Sequence, residues 1–143
     1  MKINVKEIEF GQVLCDVLPG LFTDTAGQTI LVSDELECGF RICSDSNAVT
    51  ILYSDRSSLM SALGEIVAGN NSTECSEALP FRGLMLDASR NGVPKIDFLK
   101  PAIMRLALLG MNHFCLYTED TFSVDGEPLI GYGRGGYTKA EIK

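Results

Sequence analysis

The segment FRGLMLDASR, residues 81–90, sets an apolar run between two arginines and ends it on Asp87 and Arg90. Charges are seldom buried without a partner, so a strand that finishes this way is expected to present them at its end. A second apolar run, MNHFCLYT, is followed by Glu119 and Asp120 and carries Tyr117 near its close. In parallel α/β architectures ligands sit at the C-terminal ends of strands. An arginine, carboxylates and a phenol gathered on one such rim suit a hydroxyl-rich ligand. The same side chains allow a plainer arrangement, a rim salt bridge from Arg90 to Glu119 or Asp120 that ties two loops together.

The elements that must position these residues follow from periodicity. FRGLMLDA and MNHFCLYT read as strands, and VPKIDFLKPAIMRLALLG between them carries Leu99, Ile103 and Leu106 at helical spacing. That order is one βαβ unit with parallel strands, which normally require cover on both faces. Pro101 is tolerable only near a helix start, so the helix is expected to begin at Ile96 or Asp97, or to bend. Upstream, KINVKEI, QVLCDV, QTILV, GFRIC and AVTILY read as a meander of about five strands broken at PG, TAG and SDSN. DRSSLMSALGEIVA then places Leu59, Leu63, Ile66 and Val67 on one helical stripe, with Asp55 or Ser57 as cap. The polar stretch GNNSTECSEALP, residues 69–80, marks a boundary between a domain at 1–79 and a second unit at 80–143. The expected class is α/β (α+β), a small antiparallel sheet with a helix followed by the βαβ unit.

Composition narrows the function classes. Twelve Lys and Arg against nineteen Asp and Glu give a net charge of −7 over 143 residues, with no basic run to collect phosphates. Nucleic acid and anionic membrane are therefore not expected partners. Charges at Lys6, Glu7 and Glu9 interrupt any export signal and no stretch is long and apolar enough to span a bilayer, so a cytoplasmic location is expected. Five cysteines, Cys15, Cys38, Cys43, Cys75 and Cys115, lack metal-ligand spacing and read as reduced, small core residues. No metal or cofactor is expected. His113 reads as a buried structural histidine, and Met85, Met104 and Met111 read as packing residues. GYGRGG, residues 131–136, lacks the frame of a phosphate-binding loop and reads as a flexible rim loop from which Arg134 can approach a substrate.

TKAEIK, residues 138–143, has capping-box spacing, Thr138 to Glu141, immediately before the chain stops. A helix starting there, and two parallel strands that cannot cover their own sheet, lead to the expectation that the chain is the front portion of a larger protein.

The run LPFRGLMLDASRNGVPKIDFLKPAIMRLALLGMNHFCLYTEDTF resembles the opening of the catalytic barrel in family 20 glycoside hydrolases, the β-N-acetylhexosaminidases. DGEPLIGYGRGGYTKAEIK resembles cytosolic-type bacterial members in particular, and residues 1–79 are similar to the family's non-catalytic α/β domain in layout and position. The resemblance implies that residues 80–143 begin an incomplete (β/α)8 barrel. It implies that Arg90 hydrogen-bonds the C3 and C4 hydroxyls of a terminal sugar, a task suited to a planar fork of donors. Asp87 would orient Arg90 or neighbouring backbone rather than touch sugar, and Glu119 and Asp120 fall near an acidic pair that many members carry after strand two. Family members release terminal N-acetylglucosamine or N-acetylgalactosamine with retention, using the substrate's acetamide as nucleophile. Their proton-donating glutamate and the aspartate before it belong to barrel strand four, beyond Lys143, so the 143-residue chain is expected to be inactive. It is also expected to self-associate through exposed barrel edges. Two other classes stand beside this one: a non-catalytic carbohydrate-binding or assembly module, and a nucleotide-dependent protein resting on GYGRGG alone.

Overall fold

A computed structural model describes residues 2–46, 48–76, 78–90 and 92–142. Met1, Asn47 in the SDSN break, Glu77 in the boundary stretch, Asn91 and Lys143 lie outside the described residues.

The chain begins with β1 (Ile3–Asn4), α1 (Gly11–Val17), β2 (Phe22–Thr23), β3 (Gln28–Ser33), β4 (Phe40–Ser44) and β5 (Val49–Tyr53). Then come α2 (Arg56–Val67) and β6 (Thr73–Cys75). The strands form one sheet in the order β2-β1-β3-β5-β4-β6. β1 runs parallel to β2 and β3, β3 parallel to β5, and β4 antiparallel to β5 and β6. The α/β class holds, but the sheet is mixed rather than antiparallel and is not a meander. The parallel β3–β5 pair is possible because β4 crosses to the far side of β5, leaving β3 and β5 as neighbours.

QVLCDV, expected as a strand, is helical. Its Val13, Cys15, Val17 alternation is matched by a helical set, Phe10, Leu14, Val17 and Leu18, and burial selects the latter. Leu14 and Leu18 are buried while Val13 is exposed. Gln12 donates to Asp16 at 2.8 Å one turn on.

α2 starts where expected. Asp55 has extended backbone and accepts from the Ser58 amide at 2.8 Å. Leu59, Leu63 and Ile66 are buried against Phe40, Ile42, Val49 and Ile51 on one face of the sheet, and Val67 of the expected stripe is exposed. The opposite face carries Arg41 paired with Glu74 at 2.8 Å in water.

The second part is β7 (Gly83–Asp87), α3 (Ile96–Leu108) and β8 (His113–Tyr117), with β7 and β8 parallel in the register Gly83↔His113 to Asp87↔Tyr117. α3 begins at Ile96 and contains Pro101, which has no N–H to offer the Asp97 carbonyl one turn back. Of its expected stripe, Leu99 is buried and Ile103 exposed. The reason is that α3 serves two clusters. Ile96 and Leu99 pack with Leu86, Phe114, Leu116, Ala88 and Tyr137, whereas Met104, Ala107 and Leu108 pack on the sheet-and-α2 core. Contact with α2 is close: a Cβ on Gly64 would lie 1.8 Å from the Leu108 carbonyl oxygen, so only glycine admits this approach.

The βαβ strands are not buried on both faces. Paired residues of neighbouring strands share a face, and the row Gly83, Met85, Asp87, His113, Cys115 and Tyr117 is exposed along its length. Met85 is therefore a surface residue, while Met104 packs as expected. His113, expected in the interior, is exposed, holding Asn112 at 2.8 Å and the Phe81 ring at 4.2 Å. The cysteines are free thiols, but Cys38, Cys43, Cys75 and Cys115 are exposed and only Cys15 is half-buried. α4 (Lys139–Ile142) opens with the expected capping box: the Thr138 amide donates to the Glu141 carboxylate (2.7 Å), and the Glu141 amide donates to the Thr138 hydroxyl oxygen (3.3 Å).

Candidate functional site

The end of β7 turns sharply because Asp87 folds back on its own chain. Its Oδ1 accepts from the Ser89 amide at 2.8 Å and the Ser89 hydroxyl at 2.6 Å, an Asx turn that competes successfully with continued strand. Oδ2 takes the Arg90 guanidinium. The Ser89 bonds first, and the Arg90 cation after them, hold the Asp87 carboxyl down to about 2. Asp87 is thus ionised across the physiological range and keeps Arg90 folded over the strand end.

β8 contributes the other side. Tyr117, opposite Asp87 in register, donates its hydroxyl to Glu119 at 2.7 Å. That bond and the neighbouring Glu119 charge push the Tyr117 phenol up, so it remains a neutral donor. Glu119 reaches back because its own backbone is left-handed, with φ 46°, a conformation L-residues adopt rarely and at a cost of about 1 kcal/mol or more. Its carboxylate lies 3.9 Å from the Arg90 guanidinium, whose Cζ sits 5.9 Å from the Tyr117 ring centre. Arg90, Asp87, Tyr117 and Glu119 therefore converge. Arg90 remains two-thirds exposed, with 67% of its side chain accessible, so donors not committed to Asp87 face outward.

Asp120 does not join them. It pairs at 2.7 Å with Arg134 of the 131–136 loop, and Arg134 also donates to the backbone carbonyls of Ser89 and, at 3.1 Å, Arg90. Of the rim-bridge alternative, the Arg90–Glu119 pairing occurs, while Asp120 is paired with Arg134 and not with Arg90. Sequence reasoning treated Arg134 as a substrate-facing side chain and missed this tie. The loop is fastened elsewhere too. Gly131, φ 72°, passes so close to the Asp120 carbonyl that a Cβ there would lie 2.5 Å from it. The buried Tyr137 donates to the Pro94 carbonyl at 2.8 Å. Beneath the rim the buried Thr121 hydroxyl bridges the carbonyls of Thr118 (2.6 Å) and Ala88 (3.0 Å).

Two hollows lie away from this rim. One of about 470 Å³, lined by Gly64, Leu79, Arg82, Leu108 and Leu109, sits below the start of β7 between α2 and α3. There Arg82 donates to the Gly110 carbonyl at 2.6 Å and meets the Ser57 hydroxyl at 3.3 Å, fastening the βαβ unit to α2. The other, about 360 Å³, lies along Met85, His113 and Cys115 on the exposed strand face. Among the described residues no cluster of His, Cys, Asp or Glu could hold a metal ion, and no helix is long and apolar enough to cross a membrane.

No protein-family model matches the sequence, and no curated protein matches it. Solved structures do. A GH20 β-N-acetylhexosaminidase from Streptomyces coelicolor A3(2) superposes with a TM-score of 0.67 at 23% identity, over 99% of this chain and 38% of its own. A mutant Streptomyces plicatus β-hexosaminidase in complex with its product GlcNAc gives 0.67 at 22%, over 98% and 37%. An inactive mutant of the Vibrio harveyi GH20 exo-β-N-acetylglucosaminidase gives 0.71 at 16%, over 99% and 29%. The chain thus spans 29–38% of the length of these relatives. The resemblance read from FRGLMLDASR onward holds at the level of the fold: nearly the whole of this chain is built as part of a GH20 β-N-acetylhexosaminidase chain is built.

Proposed function

We propose that the chain is the front part of a retaining β-N-acetylhexosaminidase, with residues 1–79 as the non-catalytic domain and residues 80–143 opening the catalytic (β/α)8 barrel. The observation that carries this reading is Arg90, held by Asp87 over the end of β7 with its remaining donors exposed. An arginine fixed in that pose offers two parallel N–H groups to vicinal hydroxyls of a terminal N-acetylglucosamine or N-acetylgalactosamine. Asp87 positions the guanidinium, Tyr117 and Glu119 shape its flank, and Asp120 acts through Arg134. Proton donation to the leaving oxygen and orientation of the acetamide are left to residues outside this chain, which by itself is inactive. The setting is a bacterial cytoplasm.

The test is a titration of N-acetylglucosamine into the 15N-labelled chain beside a chromogenic N-acetylglucosaminide assay. Shifts centred on Arg90 and Tyr117, lost in Arg90→Ala, with no turnover, are expected. Turnover by residues 1–143 defeats the inactivity proposal, and sugar shifts that survive Arg90→Ala defeat the assignment of Arg90.

A second consequence concerns association. β7 and β8 expose Leu84, Met85 and Tyr117 and, among the described residues, pair only with each other, and strands with open outer edges and apolar faces recruit further strands. Copies of this chain are expected to self-associate through that sheet; a concentration-independent monomer in light scattering rules this out. If sugar binding is retained while no longer chain is found to carry the activity, the chain is a carbohydrate-binding or assembly module instead.

A further inference from the structure

We infer that Arg134 is the positioning residue of this rim: its guanidinium fixes the backbone from which Arg90 projects, and so sets the direction in which Arg90 offers its donors. The inference rests on the sugar-binding reading for its functional consequence, not for its geometry. Arg134 comes from a loop 44 residues further along the chain than Arg90. One of its terminal nitrogens donates to the carbonyls of Ser89 and Arg90 and the other to Asp120. Those contacts join three segments: the turn after β7, the turn after β8 and the 131–136 loop.

The arrangement suits positioning because its parts are complementary. Asp87 and Glu119 grip the Arg90 side chain from the strand ends, but neither restrains the peptide planes on either side of it. Two carbonyl oxygens there are aimed at one cation, and a planar guanidinium is the side chain able to span both while pairing with a carboxylate. A lysine, as a point charge, can keep the Asp120 pair without spanning both carbonyls. Arg134 is itself two-thirds covered, 35% of its side chain being accessible against 67% for Arg90, which places it under the rim rather than on it. Gly131, three residues before it, lets the loop approach the Asp120 carbonyl closely. GYGRGG is in this light a brace for the site.

The experiment follows the Arg90 Nε–Hε signal by NMR in the full chain and in Arg134→Lys, Arg134→Gln and Asp120→Asn, with the Ile51 and Leu63 methyl signals as monitors of the distant core. In Arg134→Gln, exchange of the Arg90 Nε–H with water is expected to rise about tenfold, the order set by losing a charge-assisted hydrogen bond, while the core methyl signals stay in place. Arg134→Lys is expected to fall between, and Asp120→Asn, which keeps both carbonyl bonds, to stay near the parent. An Arg90 signal unchanged in Arg134→Gln and Arg134→Lys overturns the inference, and so does one that moves only in step with the core methyls, since that is general loosening. If Arg134→Gln does not fold, Arg134→Lys carries the same decision. An N-acetylglucosamine titration separates the two ideas: a parent chain that ignores the sugar removes the functional reading, whereas the Arg90 signal still decides the positioning role.

Discussion

Replacing Gly64 by alanine tests the joint between the two parts of the molecule. Gly64 lies on the face of α2 that meets α3, and an added Cβ would sit 1.8 Å from the Leu108 carbonyl oxygen and 2.8 Å from the carbon that bears it. An ordinary contact is about 3.4 Å, so the helices must part by about 1.5 Å, a large step against an interaxial distance of roughly 8–10 Å. The obstacle is backbone and cannot rotate aside. Alanine favours the helix itself by about 1 kcal/mol, while overpacking costs about 1–3 kcal/mol or more. The parting also strips Met104, Ala107 and Leu108 from the core they share with Leu63. The net expectation is a loss of about 2 kcal/mol, or roughly 5–10 °C in Tm at this chain length. Thermal and urea unfolding of Gly64→Ala are to be compared with Gly20→Ala, where an added Cβ meets nothing within 4 Å. A Gly64→Ala protein as stable as the Gly20→Ala control would refute the close α2–α3 approach, and with it the packing that fastens the βαβ unit to the sheet.

Other expectations follow from single contacts. Asp55→Ala removes the cap that receives the Ser58 amide and should lower stability by about 1 kcal/mol in urea unfolding. Thr121→Val leaves the Ala88 and Thr118 carbonyls without their shared donor in a buried position and should cost about 1–3 kcal/mol. Tyr137→Phe deletes the bond to the Pro94 carbonyl and should cost about 1 kcal/mol while leaving the ring packing intact. Because the folded Asp87 carboxyl is depressed from its ordinary 3.8 to about 2, its contribution is complete above 3.8 and is lost as pH falls toward 2. A carboxyl 13C titration that places the Asp87 midpoint near 3.8, or leaves it unmoved by Ser89→Ala, contradicts the Asx-turn account.

What could be read from the residues, and what could not, divides along physical lines. The βαβ unit and α2 were legible because long amphipathic segments have one dominant period, and because Asp55 and Thr138 are capping residues at the right offsets. QVLCDV was misread because six residues satisfy a period of two and a period of 3.6 almost equally well; the choice is made by Phe22 and the sheet against which Leu14 packs. The parallel β1–β3 pairing was invisible for a related reason, since a two-residue strand such as β1 carries no pattern of its own, and the β3–β5 pairing because strand order is not written in the periodicity of either strand. His113, Met85 and four of the cysteines were assigned to the interior on the strength of apolar neighbours in sequence. Except for Cys38, which lies in the bend before β4, they lie in strands that cover one face only, so residues on the other face of an apolar run meet solvent. Arg90 and Asp87 were found because charge at the end of an apolar strand is itself the signal. Arg134 gave no such signal, since the carbonyls it serves come from a turn 44 residues away.

The rim and the strands beneath it are stabilised at different ranges, and this bears on what a chain of this length can do. Asp87, Ser89 and Arg90 satisfy one another within four residues, and Tyr117 and Glu119 within three. Arg134, Thr121 and Tyr137 then bind these turns together through hydrogen bonds that begin and end inside residues 88–137. The apolar face of β7 and β8 has no such closure, because Met85, Cys115 and Tyr117 depend for cover on atoms that two strands cannot supply. Opening of the sheet and disorder of the rim are therefore separable events. Conditions that drive association through the exposed face should change the Tyr117 environment, since Tyr117 lies on that face, but leave the Ser89–Arg90 turn in place, and loss of Arg134 should disturb that turn without altering how the sheet associates. A rim whose bonds begin and end inside residues 87–137 holds Arg90 through its own neighbours, the turn by Asp87 and the backbone by Arg134, which is the condition for its guanidinium to be aimed in advance.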